Sequence, residues 1–137
     1  MLHRGTFFML LLLLSSSAMA GTSQGYGNGG RFAVYDPIVA AHNKSGEPFR
    51  IEGHCQSACT LFLGIRNVCV ARSAQLLFHA GNDRSGKISA TSTQHMLNAY
   101  KPKLRQYLVA GGYTQTQSFH AVSGADLIDK FGYRECR

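Results

Sequence analysis

The segment Cys55–Thr60 places two cysteines four residues apart around a serine, and it leads into an unbroken apolar run. Ala58–Leu63 is apolar on nearly every side, which predicts a short helix that is buried all round. The preceding run, Phe49–Glu52, alternates apolar and polar residues and stops at Gly53, which predicts a strand. A strand that leads into a buried helix favours a layered fold with both elements in the core.

Apolar periodicity elsewhere predicts helices and strands in mixed order, which is the pattern of a single α/β domain. Pro102 falls inside a long helical pattern, so a kink or a break is expected there. Two strands in the middle of the chain are expected to form a hairpin that turns at Arg72-Ser73. The predicted helices are the early thirties to Lys44, Ala58–Leu63, Thr91–Val109 and Ala125–Phe131, and the predicted strands are Phe49–Glu52, Val68–Val70 and Leu76–Phe78.

The first twenty residues have the pattern of an export signal. A basic start at Arg4 precedes the apolar stretch Phe7–Leu14, and the segment closes with Ala18-Met19-Ala20. An apolar core of roughly ten residues is too short to span a bilayer stably. We therefore expect a signal peptide at residues 1–20, a periplasmic or secreted protein, and no membrane anchor after signal removal.

Residues 21–30 are rich in glycine and are expected to form either a mobile lead-in or a loop that allows close backbone approach. They lack the lysine and the Ser/Thr of a phosphate-binding loop, and no strand is predicted before them. Residues 31–137 are then the expected α/β domain. No cofactor motif is found in this domain, and no cofactor is predicted.

The chain is basic, with 14 Lys and Arg against 7 Asp and Glu and a formal net charge of +7. Loss of Arg4 with the signal lowers this charge by one. A basic surface can favour anionic membranes, cell-wall polymers or nucleic acid. Lys101, Lys103 and Arg105 stand at alternate positions around Pro102. Charges in this pattern usually mark a solvent-exposed face, so no nucleic-acid partner is predicted.

Four cysteines follow the predicted signal, and two disulfides are the ordinary expectation in an oxidising compartment. Four cysteines allow three connectivities, among which the sequence does not choose. An expected side-by-side arrangement of the buried helix with the strand Val68–Val70 favours Cys59 with Cys69, which leaves Cys55 for Cys136. No metal is predicted, because the close pair has no second close pair to complete a zinc site.

Ser57 begins the buried helix and His79 follows a predicted strand 22 residues later. A serine and a histidine in such places predict an acyl-transfer or hydrolytic site, in which the histidine takes the proton of the attacking serine. Two structural roles remain open beside this one. Ser57 also fits a helix N-cap, and His79 also fits a hydrogen-bonded core histidine. His54 is near enough in sequence to compete as the base.

Several short segments of the sequence, which include Ser57-Ala58 and Phe78-His79, resemble the proteolytic subunit of Clp protease and its relatives of the crotonase-like fold. The sequence is also similar to small exported bacterial proteins described as Clp-like periplasmic proteins. The resemblance covers about residues 29 to 133. The matching segments are Gly29-Gly30, Tyr35-Asp36, Gly53 followed by Ser57-Ala58, Cys69-Val70 and Phe78-His79.

The resemblance implies a trimmed Clp protease/crotonase-like fold in one domain, with Ser57 as the nucleophile and His79 as the general base. It implies that the backbone N–H groups of Gly30 and Ala58 form the oxyanion hole. It further implies a peptide or protein substrate and association into a homo-oligomer, as trimers or larger rings. Relative to the family, the strands that precede the glycine pair are missing from the predicted mature chain.

The acid of the family's catalytic triad has no counterpart in this sequence. The position falls near Gln117 or Ser118, neither of which is acidic. Asp83, Asp126 and Asp129 remain as substitutes, although the last two better fit a cap or the solvent face of the last helix. The sequence therefore leaves two functions open: a serine hydrolase with a Ser/His dyad, and a catalytically inactive binding module that keeps the fold and the disulfides.

Overall fold

Two three-stranded sheets organise residues 21–137, which are the part of the chain that the computed structural model describes. The predicted signal peptide, residues 1–20, lies outside the described residues. The strands are β1 Gly21–Thr22, β2 Phe49–Ile51, β3 His54–Gln56, β4 Val68–Val70, β5 Gln75–Phe78 and β6 His120–Ser123. The helices are α1 Phe32–Ser45, the 3₁₀ helix Ser57–Gly64, α2 Ala90–Asn98, α3 Pro102–Ala110 and α4 Gly124–Asp129.

The first sheet has the strand order β1-β2-β4 and is parallel throughout, whereas the second sheet has the order β3-β5-β6. In the second sheet β3 and β5 are parallel, and β6 is antiparallel to β5. The register pairs Gln56 at the end of β3 with Leu77 of β5. Because parallel strands end at the same edge of a sheet, the residues after β3 and β5 lie close together.

The expected hairpin of the two middle strands is wrong, because β4 and β5 belong to different sheets. The tight turn after β4, closed by a hydrogen bond from Ala74 N–H to Ala71 C=O, carries the chain from one sheet to the other. Strands β1, β3 and β6 were not predicted. They have two to four residues, and none of them contains a run of Val, Ile or aromatic residues that would indicate a strand.

The helices follow the sequence pattern closely. Helix α1 ends at Gly46, whose φ of 73° is the left-handed conformation that glycine adopts at helix ends. The expected break at Pro102 is confirmed, since α2 and α3 are separate helices and Pro102 begins the second. The predicted buried helix is also confirmed, and every side chain of Ala58–Leu63 is buried.

One continuous hydrophobic core joins the two sheets and the helices into a single α/β domain. Phe62 of the 3₁₀ helix lies at its centre, with its ring centroid 4.5 Å from that of Phe49 and 5.3 Å from that of Tyr35. The α/β class predicted from the sequence is therefore confirmed. None of the helices in residues 21–137 is long and apolar enough to cross a membrane.

Both expected disulfides form, but the favoured pairing is wrong: the bonds join Cys55 to Cys59 and Cys69 to Cys136. The sharp turn at Ser57, between β3 and the 3₁₀ helix, brings the Cα atoms of Cys55 and Cys59 to 5.3 Å. The C-terminal tail runs along β4, where Cys136 N–H donates to the carbonyl of Val70. The pairing therefore follows backbone contacts that the cysteine spacing does not reveal.

Candidate active site

Ser57 and His79 leave neighbouring parallel strands at the same edge of the second sheet. Ser57 follows the last residue of β3 directly, and His79 follows the last residue of β5. Their side chains meet, and the distance from Ser57 Oγ to His79 Nε2 is 2.7 Å. The structure thus brings together the two residues that the sequence singled out.

The backbone at Ser57 is held in an unusual conformation. Its φ of 55° makes it the one non-glycine residue with a positive φ among residues 21–137. This left-handed conformation costs an L-residue roughly 1–2 kcal/mol, so the surrounding structure must enforce it. The N-cap position of the 3₁₀ helix is Gln56, and the Ser57 hydroxyl bonds to His79. The alternative role of Ser57 as a helix cap is therefore not observed.

Two contacts fix the chain around Ser57. The disulfide between Cys55 and Cys59 joins the positions two residues before and two residues after the serine, and both cysteines are fully buried. Thr60 Oγ1 donates to the Ser57 carbonyl at 2.7 Å and lies 2.5 Å from the buried hydroxyl of Tyr100. A covalent link and a buried hydrogen-bond pair thus hold the same turn.

The glycine-rich segment packs against this turn. Gln56 N–H donates to the carbonyl of Gly27, and the Gln56 side-chain amide donates to the carbonyl of Asn28. A Cβ at Gly29 would lie 2.8 Å from the Gln56 carbonyl oxygen and 2.9 Å from Ser57 Cβ, so only glycine fits. The segment is thus placed for close backbone approach, and Gly30 lines the cleft beside Ser57.

His79 is well buried, with 8% of its surface exposed. Burial lowers the pKa of its imidazole, because a charged ring is poorly solvated there, and a polar contact with the Ala80 backbone offsets only part of this effect. The ring therefore stays neutral at pH 7, as a general base requires. Phe119 packs edge-on against it, with 5.1 Å between ring centroids.

His79 Nδ1 is buried and has no hydrogen-bond partner of good geometry among the described residues. In the tautomer in which Nε2 accepts the serine proton, Nδ1 carries the ring hydrogen. Burying such a donor without an acceptor costs about 1–3 kcal/mol. In a triad this position belongs to the acid, and here it is left without one.

Each residue considered as a substitute acid is engaged elsewhere. The Asp83 carboxylate accepts hydrogen bonds from Ser85 and from Lys87 N–H within its own loop. Asp129 pairs with Arg72, and Asp126 pairs with Lys130 one turn along the chain. None of the three carboxylates hydrogen-bonds to His79 Nδ1 in the structure.

The remaining polar candidates near the site also point elsewhere. Gln117 donates its side-chain amide to the carbonyl of Gly86, and Ser118 makes no hydrogen bond to the histidine. His54 is exposed and bonds to the Gln56 side chain at 2.8 Å, so it does not compete for Ser57. Within the described residues, the arrangement is a Ser/His dyad.

Ser57 and His79 open onto a cleft of about 760 Å³. Most residues of its walls were not predicted, and only the position of Arg31 directly after Gly30 is a sequence signal for any of them. Residues 21–137 contain no group of three or more His, Cys, Asp or Glu side chains placed to hold a metal ion. The cleft is lined by Gly30, Arg31, Phe32, Ala33, Ser57, His79, Gly81, Asn82, Asp83, Arg84, Ser92 and Met96.

Comparison with known proteins finds no protein family, no curated protein and no solved structure that matches this chain. The chemistry of the site is therefore argued from its own geometry.

Proposed function

We propose that this protein is a serine hydrolase that acts on peptides or related acyl compounds, with Ser57 as the nucleophile and His79 as the general base. The observation that carries the proposal is the 2.7 Å contact between Ser57 Oγ and His79 Nε2 at the mouth of a cleft. The left-handed backbone of Ser57 supports it, because strain of this kind concentrates at sharp turns that present a nucleophile.

In the proposed reaction, Ser57 Oγ attacks the substrate carbonyl carbon while His79 Nε2 takes the hydroxyl proton. The carbonyl oxygen gains the negative charge and accepts hydrogen bonds from the backbone N–H groups of Ala58 and Gly30. Each such donor contributes about 3 kcal/mol to transition-state stabilisation. His79 gives the proton to the leaving group as the bond to it breaks. A water then attacks the acyl-enzyme carbonyl and gives a proton to His79, which passes it to Ser57 Oγ as the acid product leaves.

The dyad is expected to work slowly. In serine proteases, replacing the acid beside the histidine by an amide lowers kcat by roughly 10⁴-fold. The unpaired Nδ1 of His79 places this protein in a comparable situation. A reagent that traps the acyl-enzyme step is therefore a better first assay than turnover of a substrate.

The second candidate function is a catalytically inactive binding module. The missing partner at His79 Nδ1 is the observation that favours it. In that case the cleft and the glycine loop hold a ligand that Ser57 does not attack. The relation to Clp-like periplasmic proteins, and assembly into a homo-oligomer, belong to either proposal. The two disulfides support export, because such bonds persist in oxidising compartments.

The test is fluorophosphonate labelling of oxidised residues 21–137, followed by intact mass. We expect one label per chain, lost in Ser57→Ala and slowed strongly in His79→Ala. His54→Ala is the matched control, since this nearby exposed histidine does not contact Ser57. A folded protein that takes no label, or a label that persists in Ser57→Ala, would favour the binding module.

A further inference from the structure

Two arginines from separate segments line the same cleft as Ser57 and His79. Arg31 directly follows Gly30 and precedes α1. Arg84 lies in the loop between β5 and α2, which a bridge between Asn82 and Ile88 closes. The cleft therefore carries one cation on the side of the glycine loop and one on the side of the histidine.

Neither arginine pairs with an acid within residues 21–137, whereas Arg50 and Arg72 both do. The first turn of α1 contains no acidic residue that would neutralise Arg31. Asp36, farther along α1, pairs with His95. The two cations in the cleft are thus not neutralised by an ion pair.

Asp83 is the one acid in the lining, and it lies next to Arg84 in the chain. Its carboxylate accepts hydrogen bonds from the Ser85 hydroxyl at 2.6 Å, from Ser85 N–H at 2.8 Å and from Lys87 N–H at 3.1 Å. All three bonds go to Oδ1 and hold that oxygen against the loop. They also lower the pKa of Asp83, so the lining carries two cations against one anion. Asp83 therefore shapes the loop that carries Arg84.

Part of the remaining lining is apolar. Phe32 and Ala33 begin α1, and Met96 belongs to α2 and is almost fully buried. An apolar wall beside two guanidinium groups fits a ligand that has a hydrocarbon part and an anionic end. Guanidinium groups bind carboxylates through two parallel hydrogen bonds, which a neutral ligand cannot accept in the same way.

We propose that the substrates of this site carry a carboxylate or similar anionic group close to the scissile carbonyl, held by Arg31 and Arg84. This inference rests on the proposed hydrolase function. The anionic group belongs either to the acyl part or to the leaving group, and the two cases share the same chemistry. The apolar wall holds the carbon chain between the anion and the carbonyl.

The first experiment compares kcat/KM for p-nitrophenyl butyrate with that for the p-nitrophenyl hemiester of glutaric acid. A second pair, phenyl butyrate with and without a ring carboxylate, places the charge on the leaving group. A charge-assisted hydrogen bond contributes about 1.5–3 kcal/mol, so we expect at least a tenfold preference for the anionic member of one pair. The preference should fall as salt is added.

The double variant Arg31→Gln/Arg84→Gln should abolish this preference, so that the anionic and the neutral member of each pair have similar kcat/KM. Lys103→Gln on α3 is the matched control, because it removes one exposed charge that does not line the cleft. If Lys103→Gln lowers the preference as much as the arginine variant does, the general basic charge explains it, and the inference is overturned.

Binding separates this inference from the proposed function. Ser57→Ala protein is titrated with both members of each ester pair, and complex formation is followed by NMR. Tighter binding of the anionic member of either pair, lost in the arginine variant, supports the anion site even if no Ser57-dependent hydrolysis is found. Equal binding of the two members in both pairs overturns it. Ser57-dependent hydrolysis with no charge preference overturns the inference and keeps the hydrolase.

Discussion

Each sheet is associated with one disulfide, but the two bonds constrain the chain over different ranges of sequence. In the first sheet, Cys69–Cys136 ties the C-terminal tail to β4 across a sequence separation of 67 residues. In the second, Cys55–Cys59 closes a separation of only 4 residues around Ser57. The first bond restricts how far apart two distant segments move in the unfolded chain, whereas the second holds one local turn.

The strands of the two sheets also end differently. The first sheet leads from β2 to Glu52, which lies in a loop, and from β4 to Ala71, which begins a tight turn. In the second sheet, β3 and β5 lead into Ser57 and His79. The candidate catalytic residues therefore both follow strands of the second sheet. The strained backbone of Ser57 and the unpaired Nδ1 of His79 occur at the same place. The first sheet supplies buried apolar support.

The largest difference in labelling rate is expected between alanine substitutions at Gly29 and at Gly46, two glycines that share a φ of 73°. A Cβ at Gly29 would press on Gln56 and Ser57, whereas a Cβ at Gly46 meets nothing within 4 Å. Gly29→Ala should displace the glycine-rich segment that carries the proposed oxyanion donor Gly30, and it should slow fluorophosphonate labelling by about 100-fold or more. Gly46→Ala should lose roughly 1–2 kcal/mol of stability from backbone strain and keep its labelling rate.

Urea unfolding and labelling rates measured on both glycine variants check this prediction. Equal labelling rates in two folded variants would show that the glycine loop does not serve Ser57. The oxyanion assignment of Gly30 would then be abandoned.

The two disulfides should give opposite results in stability and reactivity. Loop-closure entropy predicts a loss of about 4 kcal/mol for Cys69→Ala/Cys136→Ala and about 2 kcal/mol for Cys55→Ala/Cys59→Ala. Labelling should follow the reverse order, because only the second change frees the Ser57 turn. Denaturant unfolding and labelling at a temperature at which both variants are folded provide the measurement. Unchanged labelling in the Cys55→Ala/Cys59→Ala variant would contradict the local role.

Two buried tyrosine hydroxyls offer a comparison on a smaller scale. Tyr100 bonds to Thr60 behind Ser57, and Tyr133 accepts a hydrogen bond from Lys101 N–H. Removing either hydroxyl should cost about 1 kcal/mol in thermal or chemical unfolding. Only Tyr100→Phe should also slow labelling, by several-fold, because it loosens the hold of Thr60 on the Ser57 carbonyl. Equal slowing in Tyr133→Phe would assign the effect to general stability.

The smallest expected effect is a shift in the pH dependence of the labelling rate. Burial lowers the pKa of His79 below its ordinary value of 6.5, and the neutral ring is the base. Labelling should therefore rise with pH through a midpoint below 6.5 and stay level above pH 7. A midpoint at or above 6.5 would indicate that an acid stabilises the charged ring.

The same pKa shift makes stability depend on pH. Because the folded-state pKa of His79 is lowered, the unfolded chain takes up its proton first as the pH falls. Stability is unaffected above about pH 6.5 and declines as the pH falls from there toward the folded-state pKa. Between pH 7.5 and pH 5.5, the free energy of urea unfolding should decline less in His79→Gln than in the unsubstituted protein. An equal decline would assign the effect to other groups such as His120, whose pKa is also lowered.

Local pattern by itself determined much of the chain. The periodicity of α1, the break at Pro102 and the apolar run Ala58–Leu63 predicted their elements, because helix geometry and proline chemistry act over a few residues. Ser57 and His79 were singled out for the same reason, since residue type and place beside a strand are readable from sequence. The α/β class followed from the order of the elements.

Tertiary structure alone decided which segments meet. The parallel pairing of β3 with β5 sets Ser57 beside His79, and the tail along β4 sets the partner of Cys69. Neither was readable from the sequence, because strands of three or four residues carry too few side chains to specify a partner. The arginines of the cleft were also missed, since Arg31 and Arg84 line one cleft only after distant segments have packed.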